Sequence, residues 1–189
     1  SQLDEDRKNR IRQMFYTLAR NSSSGHAFSL QFRQSKALGS NAFALPSGLI
    51  IMTDKLVETS EDNKEIKGIL VHEMAHVIHR HGLRSVIQNT GVVLLISMLV
   101  GDVTSITSLA ASIPTLIVES GYSRKFETQA DEAVGSYFMS KGLDIKFFEN
   151  ILIRISKEKP DLKGGKLLST HPETSQRIKH LQDFISQSE

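Results

Sequence analysis

The stretch Asn63-Lys64-Glu65-Ile66-Lys67-Gly68-Ile69-Leu70-Val71-His72-Glu73-Met74-Ala75-His76-Val77-Ile78 decides the reading of this chain. Ile66, Ile69 and Leu70 recur at helical spacing, and Ser60-Glu61-Asp62 reads as an N-cap with an acidic first turn. The pattern predicts a long helix from Ser60 to about Gln88. Inside it lies His72-Glu73-Met74-Ala75-His76. At 3.6 residues per turn the two imidazoles sit one turn apart on one face, within reach of a single zinc ion. Glu73 projects beside them, where its carboxylate can take a proton from a water whose pKa such an ion lowers toward about 7. The chemistry this favours is hydrolysis of a peptide bond.

A catalytic zinc site needs a third protein ligand and an open position. The chain has no cysteine, so the ligands must be His or carboxylate. His79 shares the face of His72 but lies about 10.5 Å further along the axis, too far to join it on one ion; it reads as a surface or core-edge residue. His81 points to another side of the expected helix and reads as a structural hydrogen-bonding group. Glu127, on a separate helix, is the better candidate. Asp131 lies one turn further on, on the same face as Glu127, and is placed to orient a ligand histidine through its other ring nitrogen.

Outward from this centre the chain reads as a small α+β protein. Ile11, Met14, Phe15 and Leu18 predict an amphipathic helix over about Asp4–Arg20. Phe28, Leu30 and Phe32 alternate with polar residues as in a half-buried strand. A second strand fits Asn41–Leu45 and, because Pro46 lacks a donor, suits a sheet edge; Leu49–Met52 returns as a more buried one. The sheet is expected to be small and antiparallel. Phe126, Ala130, Val134 and Tyr137 mark a helix closed by Gly142; Asp144 caps another that carries Phe148, Ile151, Leu152 and Ile155; Pro172 opens a last one with Ile178, Leu181 and Ile185. Lys163-Gly164-Gly165-Lys166 lacks the spacing of a phosphate loop.

The composition sets outer bounds. A chain of 189 residues with 39% hydrophobic residues buries a core and reads as one domain, whether alone or as a piece of something longer. A net charge of +2 is too balanced for a surface that tracks phosphates, so no nucleic-acid partner is expected. The tract from Ser85 to Val118 is weakly charged, but its continuous apolar part, Val92 to Val100, interrupted at Ser97, is much shorter than the roughly 20 residues of a membrane span. It reads as a buried or interfacial segment, with membrane-surface contact as the alternative.

Four ordered motifs then converge. Asn41-Ala42-Phe43-Ala44-Leu45-Pro46-Ser47-Gly48, His72-Glu73-Met74-Ala75-His76, Glu127-Thr128-Gln129-Ala130-Asp131, and Ser169-Thr170-His171-Pro172 with Arg177-Ile178 resemble metallopeptidase family 48. Within it the look is closest to the soluble periplasmic members of the β-barrel assembly-enhancing type. The resemblance implies a mostly helical zincin-like domain with a gluzincin site: one zinc on His72, His76 and Glu127, and Glu73 as general base. It gives the edge strand Asn41, Ala42, Phe43, Ala44 and Leu45 a purpose, pairing with an extended polypeptide substrate beside the metal. It gives His171 one of two roles, stabilising the oxyanion or filling the fourth zinc position in a resting enzyme. Arg177 either pairs with Asp131 and holds the last helix or is an ordinary surface arginine. The Thr90–Val118 tract falls where membrane-embedded relatives carry transmembrane helices and is expected to form a lid or a membrane-facing plug. The implied function is a zinc endopeptidase of extended or misfolded proteins in cell-envelope quality control, periplasmic or membrane-associated. The alternative is a latched relative that binds unfolded clients around a structural zinc.

Overall fold

A computed structural model describes residues 3–22, 24–88, 122–158 and 174–188. Their order is α1 (Glu5–Asn21), β1 (Ser29–Arg33), β2 (Ala42–Ala44), β3 (Leu49–Thr53), α2 (Asp54–Thr59), α3 (Asn63–Ile78), a helical stretch over 81–88, then α4 (Arg124–Ser140), α5 (Lys146–Lys157) and α6 (Thr174–Ser186). The architecture is α+β and mostly helical.

α3 is the axis of the molecule, with α1, α4, α5 and β2 packed around it. Its sequence explains the position. Ile66, Ile69, Leu70, Met74, Ala75 and Val77 are buried on several sides, the pattern of a core helix rather than a surface one. All but Ala75 share one hydrophobic core with Phe15 and Ile11 from α1, Ile50 and Met52 from β3, Val134 and Phe138 from α4, Phe148 and Ile151 from α5, and Leu181 from α6. A helix so enclosed has no structural reason to bury His72, Glu73 and His76, all under 3% exposed, unless those groups find polar partners inside.

The strands run in the spatial order β1-β3-β2, leaving β2 at one edge. β2 pairs antiparallel with β3, Phe43 opposite Ile51, as a tight turn allows. Gly48, at φ +87°, makes that turn and donates to the Leu45 carbonyl; a Cβ there would overlap the carbonyl oxygen of Ala27. β1 pairs with β3 in parallel, Leu30 opposite Ile50, so the sheet is mixed and the expected all-antiparallel arrangement is corrected. The reason is topological: the chain after β1 crosses to the far edge, forms β2 there, and returns between the two.

Two further corrections concern helices. The cap of α3 is Asp62, whose side chain accepts from the Lys64 amide, while Ser60 closes the preceding α2; that short helix, capped by Thr53, was not anticipated. The expected helix to Gln88 is broken. It stops at Ile78, Arg80 takes a left-handed φ of +55°, and a new helical stretch starts at residue 81. Among the described residues no helix is long and apolar enough to cross a membrane. Thr90–Val118, the 163–166 loop, His171 and Pro172 lie outside the described residues.

Candidate metal centre

α3 supplies two imidazoles and α4 a carboxylate. His72 Nε2 and His76 Nε2 face each other at 3.0 Å. Glu127 spans the pair, Oε2 at 3.5 Å from His72 Nε2 and Oε1 at 3.4 Å from His76 Nε2. One ligand atom from each of the three lies within 4.8 Å of the other two. Glu73 is buried one residue on from His72, at 1% exposure.

Each histidine is held from behind. His72 Nδ1 lies 2.9 Å from Asp131 Oδ1, and Asp131 accepts from Arg177 Nε at 2.8 Å and from its Nη2 at 2.7 Å. Arg177 Nη1 reaches Glu127 Oε2 at 3.1 Å. Arg177 is therefore no surface arginine: it leaves α6 and ends buried between two carboxylates of α4. On the other side His76 Nδ1 meets His81 Nδ1 at 2.9 Å, and His81 Nε2 lies 3.1 Å from Gln129 Oε1. Had α3 continued, residue 81 would sit about 140° round from His76 and about 7.5 Å further along. The turn at Arg80 folds it back into contact, so the sequence reading correctly expected a hydrogen bond for His81 but could not name its partner. Tyr122 stacks on His76, centroids 3.8 Å apart, and its hydroxyl donates to the Ala44 carbonyl at 3.4 Å, tying the metal centre to the edge strand. Phe126 stacks on the outer face of His81 at 4.4 Å.

The electrostatics follow from burial and from these partners. Burial holds the His76 pKa down at about 3, with the nearby His72 adding to it, so His76 stays neutral. Burial likewise lowers His81 to about 4, helped by His79 and Arg84. Burial opposes charge on His72 too, but there the hydrogen bonds and charges of Asp131 and Glu127 outweigh it and its pKa rises. Burial would raise Asp131, yet Arg177, with help from His72, brings it down to about 2. Tyr122 is pushed up by burial and by Glu73 and Glu127, and keeps its proton.

This donor set fits a divalent cation. With both ligand imidazoles neutral, as metal binding requires, the buried carboxylates Glu73, Glu127 and Asp131 in their ionised forms against the guanidinium of Arg177 give the centre a formal charge of −2. With Nδ1 of each ligand histidine engaged from behind, two nitrogen lone pairs and a carboxylate point at one place, where a cation relieves their repulsion. Beside it, among the described residues, a cavity of about 270 Å³ is lined by Ala44, Leu45 and Pro46 at the end of β2, by His76, Val77, Arg80, Gly82, Leu83 and Tyr122, and by His26. β2 thus borders the cleft. Asn41 and Phe43 lie further back along the same edge.

Comparison with known proteins agrees with this geometry. The chain is 28% identical over 141 residues to the mitochondrial metalloendopeptidase OMA1 of Arabidopsis thaliana, covering 75% of this chain and 28% of that protein. It is 26% identical over 154 residues to the protein of the same name from Saccharomyces cerevisiae, covering 77% and 43%. It is 27% identical over 158 residues to the metalloprotease YcaL of Escherichia coli, covering 77% and 58%. The chain therefore spans less than two thirds of the length of each of these relatives. Residues 5–185, from the first helix to the last, match the model of one family, and the chain belongs to peptidase family M48.

Proposed function

We propose that this chain is a zinc-dependent endopeptidase acting on extended or misfolded polypeptides. The observation that carries the reading is the meeting of His72, His76 and Glu127 at one buried point with Glu73 beside them on α3. His72, His76 and Glu127 would hold the metal. A zinc ion bound there supplies Lewis acidity and makes water a nucleophile near neutral pH. The remaining work belongs to the chain. Glu73 takes a proton from the attacking water and passes it to the departing amine. Asp131 and Arg177 fix the ring of His72 and the Glu127 carboxylate. The edge strand, with Asn41 and Leu45 at its ends, aligns an extended substrate across the mouth of the cavity. His171 stabilises the oxyanion or occupies the fourth metal position in a resting state. We place the chain's service in protein quality control, in the periplasm or at a membrane surface through residues 90–118; the similarity to a mitochondrial metalloendopeptidase and a bacterial metalloprotease supports the peptidase part of this reading.

The test combines elemental analysis with cleavage of an unfolded protein such as reduced casein. One equivalent of zinc per chain is expected, with cleavage lost on chelation and restored by zinc. Glu73→Gln is expected to retain the metal and the fold while cleavage falls by several orders of magnitude, because an amide cannot accept the proton. A Glu73→Gln protein that cuts at the parent rate overturns the assignment.

A further inference from the structure

The two ligand histidines are supported by unlike partners. His72 leans on a carboxylate, itself clamped by Arg177, and that arrangement is self-explanatory: an anion accepts the Nδ1 proton. His76 leans on another imidazole. A 2.9 Å contact between two ring nitrogens needs one proton between them, and the contact alone does not say which ring carries it.

The surroundings decide. His76 Nε2 faces His72 Nε2 and Glu127, so for metal binding it must present its lone pair, which puts the proton of neutral His76 on Nδ1. His81 Nδ1 is then an acceptor, and the single proton of neutral His81 must sit on Nε2. That atom has an acceptor in place, the Oε1 of Gln129, at 3.1 Å. Gln129 stands two residues on from Glu127, so α4 delivers both a ligand to the metal and the group that sets the far end of the relay. With His76 Nε2 turned to the metal, the ring N–H of His76 meets His81 Nδ1 and that of His81 meets Gln129 Oε1. His81 is fully buried, stacked on Phe126 and held beside Tyr122, so water does not replace the row.

We propose that His81 is a positioning residue for the metal centre: locked by Gln129 with Nδ1 unprotonated, it accepts the Nδ1 proton of His76 and thereby aims the His76 Nε2 lone pair at the metal. It touches neither metal nor substrate. The proposal rests on the zinc-binding reading above and adds a residue and a tautomer to it.

The experiment measures zinc affinity, by competition with a chromophoric chelator, and the visible absorption of the cobalt(II)-substituted protein. The first reports the strength of metal binding and the second the ligand field, both without reference to cleavage. His81→Leu removes the acceptor and is expected to weaken zinc binding by about 10- to 100-fold, with a shifted cobalt spectrum. His81→Asn, whose side-chain oxygen takes the place of Nδ1, is expected to recover most of both. Gln129→Met frees His81 to adopt its other tautomer and is expected to lose several-fold. Affinity within threefold of the parent in a folded His81→Leu protein overturns the proposal, and so does a His81→Asn protein that binds no better than His81→Leu. Should His81→Leu fail to fold, Gln129→Met decides alone, parent affinity there counting against the relay. A parent chain that binds no zinc at all sinks the functional reading instead, which keeps the two failures apart.

Discussion

Arg177 shows how much of this centre depends on one side chain. Its guanidinium, 7% exposed, is the cation among the described residues that faces both Asp131 and Glu127. Removing one partner of a buried charge cluster costs about 3–5 kcal/mol, because the remaining carboxylates stay desolvated. Arg177→Met is therefore expected to lower the metal-free melting temperature by roughly 10 °C for a chain of this size. Calorimetry without metal checks it, and a shift under 2 °C would contradict the account. Arg177→Lys is expected to recover only part of the loss, since an ammonium cannot span both oxygens of Asp131 and still reach Glu127. Much of this residue-level detail could be read in the sequence. The His72/His76 spacing follows from helix geometry, and pairing Asp131 with a ligand histidine follows from chemistry. The partner of His81 could not, because it depends on a left-handed residue at Arg80, a position whose side chain gives no hint of that conformation. Tyr122 was missed for a similar reason: it follows a long tract with no periodic signal to place it.

Among the elements, α3 and α5 pack unusually closely. A Cβ on Gly68 would come within 2.7 Å of Phe148 Cδ2 and 3.2 Å of its Cβ, and Phe148 in turn lies against the His72 ring, centroids 5.9 Å apart. Alanine gains about 1 kcal/mol of helix propensity over glycine, whereas overpacking costs about 1–3 kcal/mol. Because Phe148 Cβ is fixed to its backbone, the clash should prevail, and Gly68→Ala is expected to lower the urea midpoint. Adding Phe148→Leu should return part of it, and a midpoint above the parent would disprove the packing argument. One turn nearer the start of α3 the same helix pair is joined by Glu65 and Arg154, with two contacts of 2.9 Å. Burial raises the Glu65 pKa, but hydrogen bonds from Arg154 and the Glu61 amide outweigh it and leave it below the ordinary 4.5. A carboxyl with a depressed folded-state pKa stabilises the protein above pH 4.5 and loses that contribution as pH falls through the folded value. The stability gap between the parent and Glu65→Gln, measured by denaturant titration, is thus expected to be widest near neutrality and to close on acidification below pH 4.5. The longer helices were legible because their apolar positions repeat at a clear period, whereas the six residues of α2 are too few to show one and nothing periodic marks the break at Arg80. The direction of β1 was not, since alternation reports which face of a strand is buried and says nothing of which way its neighbour runs.

Taken whole, the molecule gathers these carboxylates in its interior beside a cleft, and a divalent ion should stabilise the fold as well as serve chemistry. Free zinc at 100 times its dissociation constant adds about 2.7 kcal/mol by mass action. The melting temperature is expected to climb with zinc, fall back on chelation, and stay flat in His72→Ala. A parent protein indifferent to zinc would count against the metal site. The groups that form the centre come from three distant stretches: residues 72–81, residues 127–131 and Arg177. Ribosomes deliver them in that order. A nascent chain that has not yet released α6 can bring Glu127 and Asp131 into the interior only without the guanidinium that faces both. Newborn copies therefore lack this counter-charge until Arg177 has left the ribosome.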